Sequence, residues 1–123
     1  MESKLFGTRL YVSYSKLAHN VNYLKRHFNN SNIIAMVKAN AYGHGDILIT
    51  EKLQSLGINS FGVADFDEGL RLRSHGVEGA IMVMNPGVYN LQIILENNLQ
   101  PVIYNNKILS MLIKLIQQDK LHK

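Results

Sequence analysis

The chain has 123 residues and contains no cysteine, so neither a disulfide framework nor a thiolate metal site is possible. It also lacks the run of about 18 apolar residues that would span a membrane. Residues 1–4 do not lead into the apolar core of a signal peptide. These absences exclude several classes of secreted and membrane protein, and we expect a cytoplasmic protein with no membrane partner.

A strong excess of one charge is missing as well. The 13 basic and 9 acidic residues give a formal net charge of +4, and they are scattered along the chain. No basic stripe with interleaved aromatic residues is present, so we expect no nucleic-acid partner. Apolar residues, in contrast, make up 46% of the chain, which is enough for the core of one modest domain.

Short apolar segments alternate with stretches whose apolar residues recur at helical spacing. The segments rich in β-forming residues are 9–13, 33–37, 60–64, 80–84 and 99–104. Strands that alternate with helices of about 10 to 15 residues predict right-handed βαβ units and a parallel sheet. The fold class is therefore α/β. Four βα units are visible, which fits half of a (β/α)₈ barrel of about 250 residues or, alternatively, a small complete open sheet.

Local signals refine the ends of these elements. Asp46 and Asp65 are predicted helix N-caps, and Glu68 completes a capping box with Asp65. Pro101 has no N–H to donate, so the last strand should be short or locally unpaired.

Four charged residues between 68 and 78 are predicted to form a solvated helix face with pairs at i,i+3 spacing. They are Glu68, Arg71, Arg73 and Glu78. The histidines in or near predicted helices show no carboxylate spacing typical of a metal site, and we expect surface positions for His19, His27, His75 and His122. No metal ligands are assigned.

Lys38 is the first candidate for chemistry. It follows the continuous apolar run 33–37, which predicts a strand buried on both faces, and active sites of such folds lie at the C-terminal ends of the strands. An amine held in a mostly apolar mouth loses hydration, which favours its neutral, nucleophilic form and suits a Schiff base with pyridoxal phosphate. From position alone, a lysine that snorkels to solvent is the more common case.

Tyr42 lies four residues later in a loop that contains Gly43 and Gly45. Its hydroxyl, the loop amides and the following helix dipole together could face a phosphate, although an ordinary βα loop is equally compatible with this spacing. Asn40 orients the loop or the lysine, or makes local turn hydrogen bonds. For His44 we favour a structural hydrogen bond.

Positions in the neighbouring strands could also border the predicted site around Lys38. Gly62 weakens its strand unless another group approaches closely. That group is a cofactor ring or, more simply, a neighbouring helix. Met82 and Met84 are predicted strand core, and Met84 at the strand's end could border the same mouth as Lys38.

The unbroken run Val-Lys-Ala-Asn-Ala-Tyr-Gly-His-Gly at 37–45 closely resembles the cofactor-lysine motif of alanine racemases. Further similarities to that family follow in the same order along the chain: His19-Asn20, 61–64, Glu68-Gly69, Leu72-Arg73 and 81–83. The resemblance covers nearly all of the chain, and the lysine motif is far more specific than a lone glycine loop.

This resemblance implies a pyridoxal 5'-phosphate enzyme that interconverts L-alanine and D-alanine for peptidoglycan. It implies an N-terminal (β/α)₈ barrel, a C-terminal β domain and a homodimer with shared active sites, with residues 1–123 as the N-terminal part of the barrel. Lys38 matches the catalytic lysine that holds the cofactor and acts as the base on the D-alanine side. Tyr42 matches the tyrosine that hydrogen-bonds the cofactor phosphate.

The family's opposite-face tyrosine base and its substrate-binding arginine belong to later segments, and we assign them to no residue here. We therefore expect this chain alone to be inactive, and a half barrel with an open edge to be poorly stable or prone to association. Three alternatives remain. They are a basic amino-acid decarboxylase, which the residues after Lys38 disfavour, a non-catalytic pyridoxal-phosphate carrier, and a small flavodoxin-like domain in which Lys38 is incidental.

Overall fold

A computed structural model of the chain describes residues 7–29 and 31–121. The helices are α1 Tyr14–His27, α2 Lys38–Tyr42, α3 Asp46–Ser55, α4 Phe66–Ser74, α5 Leu91–Glu96 and α6 Asn106–Leu121. The strands are β1 Ala35–Met36, β2 Ser60–Val63, β3 Ala80–Val83 and β4 Gln100–Pro101, and a 3₁₀ turn at Val88–Asn90 precedes α5. The predictions for residues 1–4 and for His122 lie outside the described residues. No helix within the described ranges is long and apolar enough to cross a membrane.

The four strands form one sheet in the order β1-β2-β3-β4, and each neighbouring pair is parallel. Phe61 of β2 lies opposite Ala35 of β1 on one side and Ile81 of β3 on the other. Strands that follow one another in both sequence and space are the pattern that closes into a barrel, whereas a flavodoxin-like sheet has the order 2-1-3-4-5. The prediction of a partial (β/α)₈ barrel is confirmed, and the flavodoxin-like alternative is wrong.

The two faces of the sheet differ sharply in burial. The residues that face the helices are 0–1% exposed: Phe61, Val63, Ile81 and Val83. Ile34 and Met36 alternate with the buried Val37 and are 47% and 37% exposed. The prediction that segment 33–37 is buried on both faces is therefore wrong. Among residues 7–29 and 31–121, helices cover one face of the sheet, and Ile34 and Met36 are exposed on the other.

The outer segments of the predicted sheet are shorter than expected. Residues 8–13 contain no strand, so the predicted strand at 9–13 is wrong. At the other edge β4 has only two residues, and Pro101 pairs with Val83. Alternate residues of a parallel strand donate to the same neighbour, and here the Val102 N–H donates to the Val83 carbonyl over 3.0 Å, while Pro101 has no N–H to offer on the other side of β4. The prediction of a short last strand is confirmed.

Candidate active site

Lys38 lies directly beyond the C-terminal end of β1, as predicted. The preceding residue, Val37, donates its N–H to the Gly62 carbonyl of β2 over 2.9 Å, and Val37 is 2% exposed. Lys38 itself is half-buried. The lysine therefore follows a residue that is anchored by both the sheet and the core.

The residues after Lys38 form a left-handed helical turn, which the sequence did not predict. From Ala39 to Tyr42 all four φ angles are positive, between 50° and 55°. Left-handed backbone costs a non-glycine residue roughly 1–2 kcal/mol, so the turn is strained. Two bonds of helical type run through it, from Ala41 N–H to the Val37 carbonyl and from Gly43 N–H to the Ala39 carbonyl. The turn places Lys38 and Tyr42 one helical turn apart.

Side chains of the same loop support this turn. The Asn40 side-chain oxygen accepts from the Asp46 N–H at 3.0 Å, and the Asn40 carbonyl accepts from the Gly45 N–H at 2.9 Å. His44 Nδ1 lies 2.8 Å from the Ala41 carbonyl oxygen. The local turn hydrogen bonds of Asn40 and the structural hydrogen bond of His44 are both confirmed.

The loop amides are already used within the protein. The N–H groups of Gly43, His44 and Gly45 donate to loop carbonyls, and Ile47 N–H donates to the Asp46 carboxylate over 2.8 Å. Asp46 is the first residue of α3 and not its N-cap, so its buried carboxylate occupies the helix N-terminus. These internal bonds count against the prediction that the loop amides and this dipole receive a phosphate. Tyr42, 59% exposed, remains available through its hydroxyl.

Glu68 joins the lysine loop to the end of β2. Its Oε1 accepts from the Ala39 N–H at 2.7 Å, the first amide after Lys38. Its Oε2 accepts from the Ala64 N–H at 2.7 Å and from the Asp65 N–H at 3.4 Å, and the predicted capping box at the start of α4 is present. The interpretation of Glu68 as part of a solvated face is therefore wrong. Parallel strand ends share one edge of a sheet, and this rule could have placed Glu68 beside Lys38.

Arg71 contacts the other end of the same loop. Its Nε lies 3.2 Å from Asp46 Oδ2, and the side chains are 58% and 8% exposed, respectively. Arg71 and Glu68 are three residues apart on α4, so one helix contacts both the start and the end of the loop. Sequence reasoning assigned Arg71 only to solvent, because its partner lies on a different helix.

Arg73 serves the opposite edge of the sheet. Its guanidinium donates over 2.5–3.3 Å to four carbonyl oxygens, those of Val77, Gly79, Asn97 and Asn98. Burial lowers the pKa of Arg73 below the usual value for an arginine. The solvated-face prediction is wrong for Arg73 as well, whereas Glu78 is exposed as expected.

The close neighbour of Gly62 is a side chain from the adjacent strand. A Cβ on Gly62 would lie 2.3 Å from the Met36 sulfur, so the predicted helix contact is wrong. Met82 is half-buried, but Met84 is 38% exposed at the end of β3, which corrects the prediction that it belongs to the core. Met84 thus lies at the same edge of the sheet as Lys38, because both residues follow the C-terminal ends of parallel strands.

Comparison with known proteins identifies the family to which this arrangement belongs. Residues 12–122 match the family model for the alanine racemase N-terminal domain. The chain belongs to the alanine racemase family. It is 38% identical over 99 residues to the alanine racemase of Haemophilus influenzae, a match that covers 78% of this chain and 27% of the relative.

Solved structures of the alanine racemase family agree with the fold. The alanine racemase of Acinetobacter baumannii superposes with a TM-score of 0.79 at 33% identity, over 87% of this chain and 32% of that one. A histidine racemase from Leuconostoc mesenteroides superposes with a TM-score of 0.75 at 26% identity, over 82% and 27%. The chain spans about a quarter of the length of the curated relatives it matches.

Proposed function

We propose that residues 1–123 form the N-terminal part of an alanine racemase barrel and that the whole protein interconverts L-alanine and D-alanine. The observation that carries this proposal is the position of Lys38. It lies at the C-terminal end of β1, inside a nine-residue run typical of the family that the chain belongs to. Lys38 and Tyr42 are the residues we assign to the cofactor, and Lys38 is also the residue we assign to catalysis.

The chemistry of these two side chains fits pyridoxal 5'-phosphate. When bound, this cofactor supplies an aldehyde that condenses with a lysine amine, with loss of water, and a conjugated ring that accepts the electron pair left on the substrate's α-carbon. Lys38, which is half-buried, provides the primary amine. The exposed phenol of Tyr42, one helical turn away, provides a hydrogen bond for a phosphate oxygen.

Racemisation requires a proton to leave one face of the α-carbon and another to arrive on the opposite face. We assign Lys38 Nζ as the base that carries the proton on one face. We assign the base for the other face to none of the described residues. A non-catalytic carrier would need the cofactor grip but no second base, so measured racemisation by the whole protein separates the two functions.

Family membership also supports the wider proposal. We propose that the whole protein is a cytoplasmic homodimer that supplies D-alanine for peptidoglycan. Its substrate is alanine, with no nucleic-acid or membrane partner. The similarity to a histidine racemase makes histidine the second candidate substrate. The higher identity to the Haemophilus influenzae alanine racemase favours alanine.

Covalent labelling tests the cofactor assignment. The folded chain is incubated with pyridoxal 5'-phosphate and reduced with borohydride. The labelled proteolytic peptides are then identified by mass spectrometry. We expect the label on the peptide that contains Lys38, none at that position in Lys38→Ala, and weaker labelling in Tyr42→Phe. Lys107→Ala, which removes an exposed lysine on α6, is the matched control and should label normally.

Two results would contradict this assignment: equal labelling of all exposed lysines, or no label in a sample with intact circular dichroism. For the substrate, racemisation by the whole protein is followed by chiral chromatography with L-alanine and L-histidine in parallel. A preference for histidine would overturn the choice of alanine without affecting Lys38.

A further inference from the structure

Helix α4 contacts both ends of the segment that begins with the cofactor lysine. We call residues 38–46 the lysine loop. Glu68 contacts the first amide of this loop after Lys38, and Arg71 contacts the carboxylate of Asp46 at its end. Both contacts join residues that are far apart in the sequence, whereas the other hydrogen bonds of the loop are local.

We propose that Glu68 is a positioning residue that sets the direction in which Lys38 leaves the sheet. This inference rests on the proposed function, because it takes Lys38 to be the residue that binds the cofactor. Glu68 itself is not assigned any contact with cofactor or substrate. It acts through the backbone of the lysine loop.

The peptide bond between Lys38 and Ala39 carries the N–H that Glu68 contacts. This unit is planar, so a hydrogen bond to the Ala39 N–H fixes the orientation of the whole plane, including its bond to the Lys38 α-carbon. Glu68 Oε1 makes this bond at 2.7 Å, a distance typical of bonds with a charged acceptor. The orientation of that plane sets the ψ angle of Lys38 and thereby restricts the direction of its Cα–Cβ bond.

Ala39 is also the first of the four left-handed residues. Such a conformation persists only where the surroundings over-determine it. Local bonds within the loop support its later residues, whereas the Ala39 N–H has Glu68 as its partner. Removal of the Glu68 contact therefore frees the strained turn at the point nearest to Lys38.

The two oxygens of Glu68 have separate tasks. Oε2 accepts from the Ala64 and Asp65 N–H groups and caps α4, whereas Oε1 reaches across to Ala39. In Glu68→Gln the remaining oxygen can serve the two capping donors, which leaves an NH₂ group opposite the Ala39 N–H. This variant should keep the helix and lose the contact with the loop.

Arg71 provides a second contact of lesser weight. Its side chain is 58% exposed, so solvent weakens its ion pair with Asp46. The Asp46 N–H is also bonded to Asn40, which keeps the end of the loop in place without Arg71. We therefore expect a smaller effect from Arg71→Ala than from a change at Glu68.

The test combines amide hydrogen exchange of the cofactor-free chain with the rate of covalent labelling of Lys38 by pyridoxal 5'-phosphate. In Glu68→Gln, exchange at Ala39 should become about tenfold faster, the factor that corresponds to one lost charge-assisted bond, and labelling should slow about tenfold. Exchange in the β2 and β3 strands should stay unchanged. Glu68→Asp, which keeps the charge but is one methylene shorter, should show the same selective change at Ala39.

Asp67→Asn is the matched control, because it removes a carboxylate from the same exposed first turn of α4. It should leave both rates unchanged. The inference is overturned if both Glu68 variants exchange at Ala39 and label like the wild type, or if exchange rises equally throughout the sheet. Absence of labelling at Lys38 in the wild type would contradict the proposed function. The exchange rate at Ala39 would still decide the role of Glu68.

Discussion

Arg73 should contribute strongly to the stability of this fold, and the size of its contribution to the free energy of unfolding can be estimated from its hydrogen bonds. Its guanidinium joins the turn at residues 77–79 before β3 to the turn at residues 97–98 before β4. These turns lie at the N-terminal edge of the sheet, away from Lys38. In barrels of this type that edge serves stability and not catalysis.

The expected loss in Arg73→Ala follows from counting the bonds that water cannot replace. Val77 is buried, whereas Gly79 and Asn97 are half-buried and Asn98 is exposed, so we count only the bond to the Val77 carbonyl, which cannot regain water. A bond to a charged group contributes about 1.5–3 kcal/mol, which gives an expected loss of about 2 kcal/mol in the free energy of unfolding. Domains have only about 5–15 kcal/mol in total, so the loss is large.

Urea unfolding followed by circular dichroism measures this loss, with the dependence on urea concentration unchanged. Arg73→Lys should recover less than half of it, because a single ammonium group cannot reach four carbonyls on two turns. Arg26→Ala, an exposed arginine in the last turn of α1, should change stability by less than about 0.5 kcal/mol. Equal stability of Arg73→Ala and Arg26→Ala, or an Arg73→Lys variant as stable as the wild type, would contradict this prediction.

Three further substitutions, at Thr50, Gly79 and Gly62, can be checked in the same unfolding assay. Thr50 is 0% exposed and its hydroxyl has no hydrogen-bond partner among the described residues. Thr50→Val should therefore raise the free energy of unfolding by about 1 kcal/mol. A decrease in the free energy of unfolding would show that the hydroxyl is paired. A Cβ on Gly79 would lie 2.0 Å from the Asn59 backbone oxygen, so Gly79→Ala should cost about 2 kcal/mol or more. Gly62→Ala should cost less, because the atom it meets is the flexible end of Met36; equal costs would contradict this distinction.

The alternation of strands and helices could be predicted because each element carries its own local pattern. The four strands from 35 to 101 all fall within predicted segments. The prediction of a strand at 9–13 was wrong because β-forming residues make a strand only where a neighbouring strand accepts and donates their hydrogen bonds. The burial of segment 33–37 was overestimated for a related reason, since an apolar run does not show whether a second layer covers each face.

Parts of the candidate site were also accessible from sequence. Lys38 and Tyr42 were found because the motif around them is contiguous, and Asn40 and His44 act through local hydrogen bonds as expected. Glu68 was recognised only as a helix cap, because capping partners lie within four residues. Its second bond spans 29 residues, and no periodicity reports such a distance.

The sequence by itself determined the order of βα units, the family and the position of Lys38 at the end of β1. These depend on apolar periodicity and on one contiguous motif, which are properties of neighbouring residues. Only the tertiary structure decided that Ala39 to Tyr42 adopt a left-handed turn and that Glu68, Arg71 and Arg73 have partners on distant segments. The physical reason is that a strained backbone and a charged side chain are both stabilised by groups from distant segments, which meet only when the parallel sheet has formed.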